Sequence, residues 1–309
     1  ILLTLAYFHL RRSEYSAALD LIRLARKSDP DSVDAARLAG WADYGLNQIA
    51  GAVSEWNHAQ LLRPDPDVAK ALERAQRDAQ TESEFREGQS NHFVVRYSGK
   101  AEPGLARSIV DTLEEHYSAI RDALNFTPAE PIGVILYTNE EFADITRAPG
   151  WAGAVNDGRI RLPVQGVTVV NDQLSRILKH ELTHSFIQQK TRGRCPTWLN
   201  EGIAQWMEGT QSKLYARALA AQFDAGHVTQ LRSLEASWMN LSDNDAAIAY
   251  AWSEAVVEDI LNSGGTNDLN RLLDALSSSP TPEAAVRAAL HMDYSILAQE
   301  TAAYLRSQQ

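Results

Sequence analysis

Five pairs of residues in the first quarter of the chain recur at one offset of 34 positions: Ala6 with Gly40, Ala18 with Ala52, Ile22 with Trp56, Ala25 with Ala59, and Pro30 with Pro64. A fixed period of this length requires the same small supersecondary unit twice, stacked so that each copy buries the apolar face of its neighbour. Small residues are needed where two helices cross closely, and a proline is suited to the point where the second helix of a unit ends. The residues from Asp67 to Arg86 then read as a capping helix closing the open apolar face. Between Thr81 and Asn91 the period lapses into Thr-Glu-Ser-Glu and Gly88-Gln-Ser-Asn, which is polar and patternless and marks a domain boundary. The chain opens inside a helical pattern on a residue other than Met, so further sequence is expected upstream.

The 34-residue period with small residues at the crossings resembles the tetratricopeptide repeat. That resemblance implies helical hairpins over residues 1–86. Two uses fit them equally, a docking surface for a partner protein and a spacer packed on the remainder.

Beyond the boundary the pattern changes. His92 to Tyr97 is β-rich, Pro103 to Leu124 has helical periodicity, and Pro131 to Tyr137 reads as a buried strand. Asn139 to Arg147 reads as a short helix capped by Asn139. In Gly158-Arg159-Ile160-Arg161-Leu162-Pro163, two arginines alternate with two apolar residues and the run ends on a proline, the pattern of a sheet-edge strand. From Asn171 onward nearly every segment is helical, punctuated by Gly193, Gly209, Gly226, Gly264-Gly265 and Pro280. The fold class is therefore α+β: an N-terminal helical module at 1–86, then a second domain at 91–309 with an αβ half to about residue 190 and a helical half over 191–309.

Composition removes several functions. With 40 acidic against 29 basic residues and a formal charge of -11, the chain has no electrostatic footprint for nucleic acid or an anionic membrane. No apolar run approaches the roughly 20 residues of a membrane helix. A single cysteine, Cys195, rules out an internal disulfide framework and thiolate zinc clusters, and leaves the compartment open. Any metal must be held by histidines and carboxylates.

His180-Glu181-Leu182-Thr183-His184 supplies them. Two histidines four apart lie one turn above each other on a helix and can share one ion, while Glu181 beside the first can reach a water on that ion. Leu174, Leu178, Leu182 and Phe186 form a separate apolar ridge that packs the same helix. Alone, the pentapeptide also fits a surface helix with two unconnected histidines. A catalytic zinc, however, needs three protein ligands and an open fourth position. After sixteen intervening residues His184 is followed by Glu201, in Trp198-Leu199-Asn200-Glu201-Gly202, near the start of a helix framed by Pro196 and Gly209.

These linked motifs resemble the gluzincins of the peptidase MA clan, in which a Glu on the following helix completes the site. The resemblance to the peptidase MA-like group runs from about His92 to Leu305. It implies one zinc per chain on His180, His184 and Glu201, with Glu181 as the catalytic carboxylate. In Ala249-Tyr250-Ala251-Trp252-Ser253 it implies that the Tyr250 hydroxyl hydrogen-bonds the oxyanion of the intermediate. It further implies a peptide substrate lying extended along Gly158, Arg159, Ile160, Arg161 and Leu162. Gly153 to Asp157 is similar to the aminopeptidase amine-binding strand, but Asn156 stands where that branch has a Glu, and the spacing to Glu201 is shorter than in that branch. Gln205, one turn past Glu201, is a candidate to orient a histidine. His92, His116, His227 and His291 lack metal spacing, and Cys195 has no activating partner.

The function so read is a zinc-dependent peptidase whose repeats are a candidate docking module for a protein partner. Two alternatives stay open at this point: a repeat-based interaction protein with a vestigial or structural zinc site, and a zinc hydrolase of a non-peptide amide or ester.

Overall fold

The computed structural model describes residues 1–98, 103–146, 154–156, 158–209, 215–228, 230–238 and 241–308. The chain divides into two compact units, residues 1–114 with 128–175, and residues 115–127 with 176–309.

In the first unit, helices α1 (Leu2–Leu10), α2 (Tyr15–Arg26), α3 (Val33–Gly45), α4 (Ile49–Leu62) and α5 (Pro66–Thr81) pack consecutively. The 34-residue period is structural as well as compositional. The turns between α1 and α2 and between α3 and α4 place Ser13 and Asn47, 34 apart, in the left-handed region at φ 57° and 63°. The residues that follow, Glu14 and Gln48, have nearly identical dihedrals. Ala6, Ala18, Ala52 and Trp56 are buried, and Gly40 is required at its crossing because a Cβ there would sit 2.3 Å from Trp56 Nε1.

The helix after the repeats ends at Thr81, earlier than Arg86. Helix α5 starts from an Asp65 cap that accepts from Asp67 and Val68 N–H. Its continuation is a single 3₁₀ turn at Glu82–Glu84 followed by β1 (Arg86–Gln89). The polar stretch thus enters a sheet directly, pairing antiparallel with β2 (Phe93–Tyr97). The five-stranded sheet has the order β1-β2-β3-β5-β4, with β3 (Ile132–Tyr137) parallel to both β2 and β5 (Ile160–Pro163). Every residue of β3 is buried, as a continuous apolar run in a central strand requires. Helix α6 (Pro103–Leu124) separates β2 from β3 in the chain, and α7 (Asn139–Thr146) follows β3.

The expectation of an edge strand at Gly158 to Leu162 is corrected. Strand β4 (Val155–Asn156) pairs antiparallel on the far side of β5, opposite Arg161 and Ile160, so the backbone at these residues is paired on both sides and offers no free edge for strand addition. Nor do the arginines face outward, since both are buried against α5. Arg161 donates to Asp78 at 2.9 and 3.0 Å and to the Tyr44 hydroxyl at 3.0 Å. Arg159 donates to Asp78 at 3.1 Å and to Glu82 at 2.5 Å, and the Tyr137 hydroxyl donates to Glu82 at 2.8 Å. Residues two apart on a strand share a face, as do residues four apart on a helix, so two guanidinium groups meet two carboxylates. Burial would raise the Asp78 pKa, but Arg161 and Arg159 hold it below the usual carboxylate value.

The second unit is helical: α8 (Asp172–Lys190) from Arg176 onward, α9 (Thr197–Glu208), α10 (Ala216–Asp224), α11 (Asp243–Leu276), α12 (Pro282–Leu290) and α13 (Tyr294–Ser307). The break expected at Gly264-Gly265 is a kink within α11, where Gly265 takes φ 66°. Leu178, Leu182 and Phe186 of α8 are fully buried, and Tyr117 packs edge-on against Phe186. Among the described residues no helix is long and apolar enough to cross a membrane.

Candidate metal centre

The helical spacing of His180 and His184 sets their rings at a centroid separation of 4.7 Å and nearly perpendicular. Both present Nε2 to one carboxylate oxygen, Glu201 Oε2, at 3.5 Å from His180 and 3.6 Å from His184. Among the described residues these form the one group of three or more His, Cys, Asp or Glu side chains whose donor atoms all lie within 4.8 Å of one another. Each side chain is 14–17% exposed, so the cluster is sheltered yet reachable.

The donor set fits zinc. Tetrahedral ligands at about 2.0–2.1 Å from an ion lie roughly 3.4 Å from each other, close to the two observed separations. The local field also favours positive charge. Burial would depress the His180 pKa, but hydrogen bonds to Glu201 and Glu208 and the nearby Glu181 push it up to about 10. Glu201 is held below its ordinary value, since His184 and His180 outweigh its burial.

Glu201 reaches this point because α9 lies close against α11. A Cβ on Gly202 would meet Ser253 O at 2.3 Å and Ser253 C at 2.7 Å. The start of α9 is fixed by Thr197, whose N–H and hydroxyl donate to Glu235 O, and by Trp198 Nε1, which donates to the Tyr294 hydroxyl. Its end is closed by Gly209 at φ 91°.

Glu181 is 9% exposed, and burial raises its pKa. Tyr250 on α11 packs edge-on against Trp238 at 4.9 Å. Burial, and then the charges of Glu201 and Glu181, raise its hydroxyl pKa far above the ordinary value, so the electrostatic influence of both carboxylates reaches it.

A residue missed by sequence reasoning, Glu208, lies 3.1 Å from His180 Nδ1. The available signal was its spacing of seven from Glu201, two helical turns along one face. Asn156 accepts from Gly158 N–H at 3.1 Å, supporting the turn into β5; Gly153 and Asp157 of that motif lie outside the described residues. His92 pairs with Glu114 at 2.6 Å. Burial pushes the Cys195 thiol pKa well up, the opposite of what a thiolate nucleophile needs.

A comparison with the curated proteins finds no match. The family model described as Peptidase MA superfamily matches residues 119–307, more than half of the chain and the whole of the stretch that carries this cluster.

Proposed function

Because the chain belongs to the peptidase MA superfamily, we propose that it is a zinc-dependent peptidase whose metal is held by His180, His184 and Glu201, one ion per chain. The observation that carries this reading is the convergence of two Nε2 atoms on one Glu201 oxygen at 3.5 and 3.6 Å. A zinc ion there would polarise a substrate carbonyl and lower the pKa of a water molecule. Glu181, next to the first ligand, takes the proton of the attacking water and returns it to the leaving amine. Tyr250 donates its hydroxyl hydrogen to the developing oxyanion.

Residues 1–86 are assigned to tetratricopeptide repeats that offer a docking surface for a protein partner, and residues 91–309 to the peptidase domain. The repeated left-handed turns at Ser13 and Asn47 support the repeat assignment. The test of the enzymatic reading is metal analysis of the purified chain together with Glu181→Gln. One zinc per chain, unchanged in the variant, with hydrolysis of an unstructured peptide library lost, is the expected result. Zinc content well below one after zinc-replete expression, or full turnover by the variant, overturns it.

A further inference from the structure

The segment leading into α11 carries a tryptophan that no step of the proposed reaction uses. Leu231–Leu234 form a 3₁₀ turn with Leu231 and Leu234 buried. The next residue, Glu235, accepts through its backbone carbonyl from the N–H and the hydroxyl of Thr197 at 3.1 and 3.2 Å. That contact sets the start of α9, one turn before Glu201. Further along the same segment, Trp238 donates its Nε1 hydrogen to the Leu234 carbonyl at 3.2 Å, and its own carbonyl accepts from Leu241 N–H at 2.9 Å, just before α11 begins. The indole is thus tied to the turn and the backbone to the following helix. The ring stands edge-on to that of Tyr250, with centroids 4.9 Å apart and planes at 84°.

Tyr250 depends on such a neighbour. The torsion about the Cβ–Cγ bond of an aromatic side chain is broad and two-fold, so the plane of the ring is set by what packs on it. The Tyr250 hydroxyl makes no hydrogen bond to another described residue that could fix the ring instead. The charges of Glu201 and Glu181 nevertheless reach it. An edge-to-face pair has a preferred geometry, with centroids about 4.5–7 Å apart, and the pair with Trp238 falls inside it.

We propose, resting on the oxyanion role given to Tyr250 in the peptidase reading, that Trp238 is a positioning residue whose ring holds that of Tyr250 with its hydroxyl toward the developing oxyanion. Because the segment that carries Trp238 also fixes the start of α9, it registers the hydrogen-bond donor and the ligand Glu201 against each other. A residue that acts only through Tyr250 can cost no more than removal of the Tyr250 hydroxyl, and nothing once that hydroxyl is gone. Misplacing a catalytic group by about 1 Å costs on the order of 100-fold, and one oxyanion donor is worth roughly the same.

The experiment uses the full zinc-loaded chain, Trp238→Leu, Trp238→Phe, Tyr250→Phe, and Trp238→Leu combined with Tyr250→Phe. Leucine fills part of the space without a ring, whereas phenylalanine keeps a ring and gives up the bond to Leu234. Turnover of an unstructured peptide and zinc content are measured for each. Trp238→Leu should lower kcat at least ~10-fold with KM within a few-fold and one zinc retained per chain. Trp238→Phe should recover to within about threefold of the unaltered chain. In the Tyr250→Phe background, Trp238→Leu should have no further effect on kcat. If Trp238→Leu turns over normally, or its loss multiplies with that of Tyr250→Phe, this inference alone is overturned. Loss of zinc from Trp238→Leu also overturns it, since the residue would then serve the placement of α9. Normal turnover by Tyr250→Phe removes the oxyanion role and this inference with it, while the zinc ligands and Glu181 stand. An unaltered chain that neither holds zinc nor cleaves peptide overturns the peptidase reading as a whole.

Discussion

Replacing Gly202 with alanine puts one methyl group into the crossing of α9 and α11. That methyl carbon would lie 2.3 Å from Ser253 O, 2.7 Å from Ser253 C and 2.9 Å from Val257 Cγ2. The first two are backbone atoms in the middle of a helix and cannot swing aside, while favourable carbon contacts begin at about 3.5 Å. Helix α9 must therefore withdraw by about 1 Å, and overpacking of this kind costs roughly 1–3 kcal/mol. At about 2 kcal/mol the melting temperature of the metal-free chain should fall by roughly 4–8 °C. Glu201 is the neighbouring residue, and metal–ligand distances tolerate only about 0.2 Å, so zinc affinity should fall at least ~10-fold. Thermal denaturation and chelator competition measure the two effects. Gly88→Ala is the control, since its Cβ would meet nothing within 4 Å. If Gly202→Ala melts and binds zinc like the control, the close approach of α9 to α11 does not hold Glu201 in place.

Tyr250→Phe should lower kcat roughly 100-fold with KM within a few-fold and zinc content unchanged; turnover near the normal rate removes Tyr250 from the mechanism. Asp78→Ala leaves Arg161 and Arg159 sharing one remaining carboxylate in a buried site, and should cost about 3–5 kcal/mol in urea denaturation. Asp78→Leu combined with Arg161→Met keeps the Arg159–Glu82 pair and should cost clearly less than Asp78→Ala; equal losses would mean that the charges are not coupled. Activity should disappear with 1,10-phenanthroline and return with added Zn²⁺, and indifference to the chelator excludes a metal-dependent reaction.

The parts legible in the sequence were those governed by local period. A helix repeats near 3.6, so His180 and His184 were bound to share a face wherever the helix packed. The offset of 34 reported the same turn twice, down to the left-handed residues at Ser13 and Asn47. What escaped depended on partners far along the chain. The alternation of Arg159, Ile160, Arg161 and Leu162 reads as one wet face and one dry face, because arginine normally seeks water. Nothing near residue 160 announces that Asp78 and Glu82, some 80 positions earlier, wait on the supposedly wet face. Glu208 escaped for a milder reason: its spacing from Glu201 was visible, but a glutamate at a helix end is usually a solvated charge.

That buried cluster also bears on what the repeats are for. Were the helices only a docking module, their last member would meet the sheet through ordinary apolar packing, and a chain beginning near Gln89 would keep its core. Helix α5 instead supplies Asp78, and the 3₁₀ turn that continues it supplies Glu82, the two carboxylates that neutralise the arginines of the β5 segment, while α3 adds the Tyr44 hydroxyl. Without those segments Arg159 and Arg161 would lose the carboxylates of Asp78 and Glu82 in a buried site, a loss a fold relieves by opening to water. Partner docking and structural support are therefore not alternatives for this module. The face that α5 turns to β5 is committed to the sheet, so any partner must be recruited through other surfaces of the repeats.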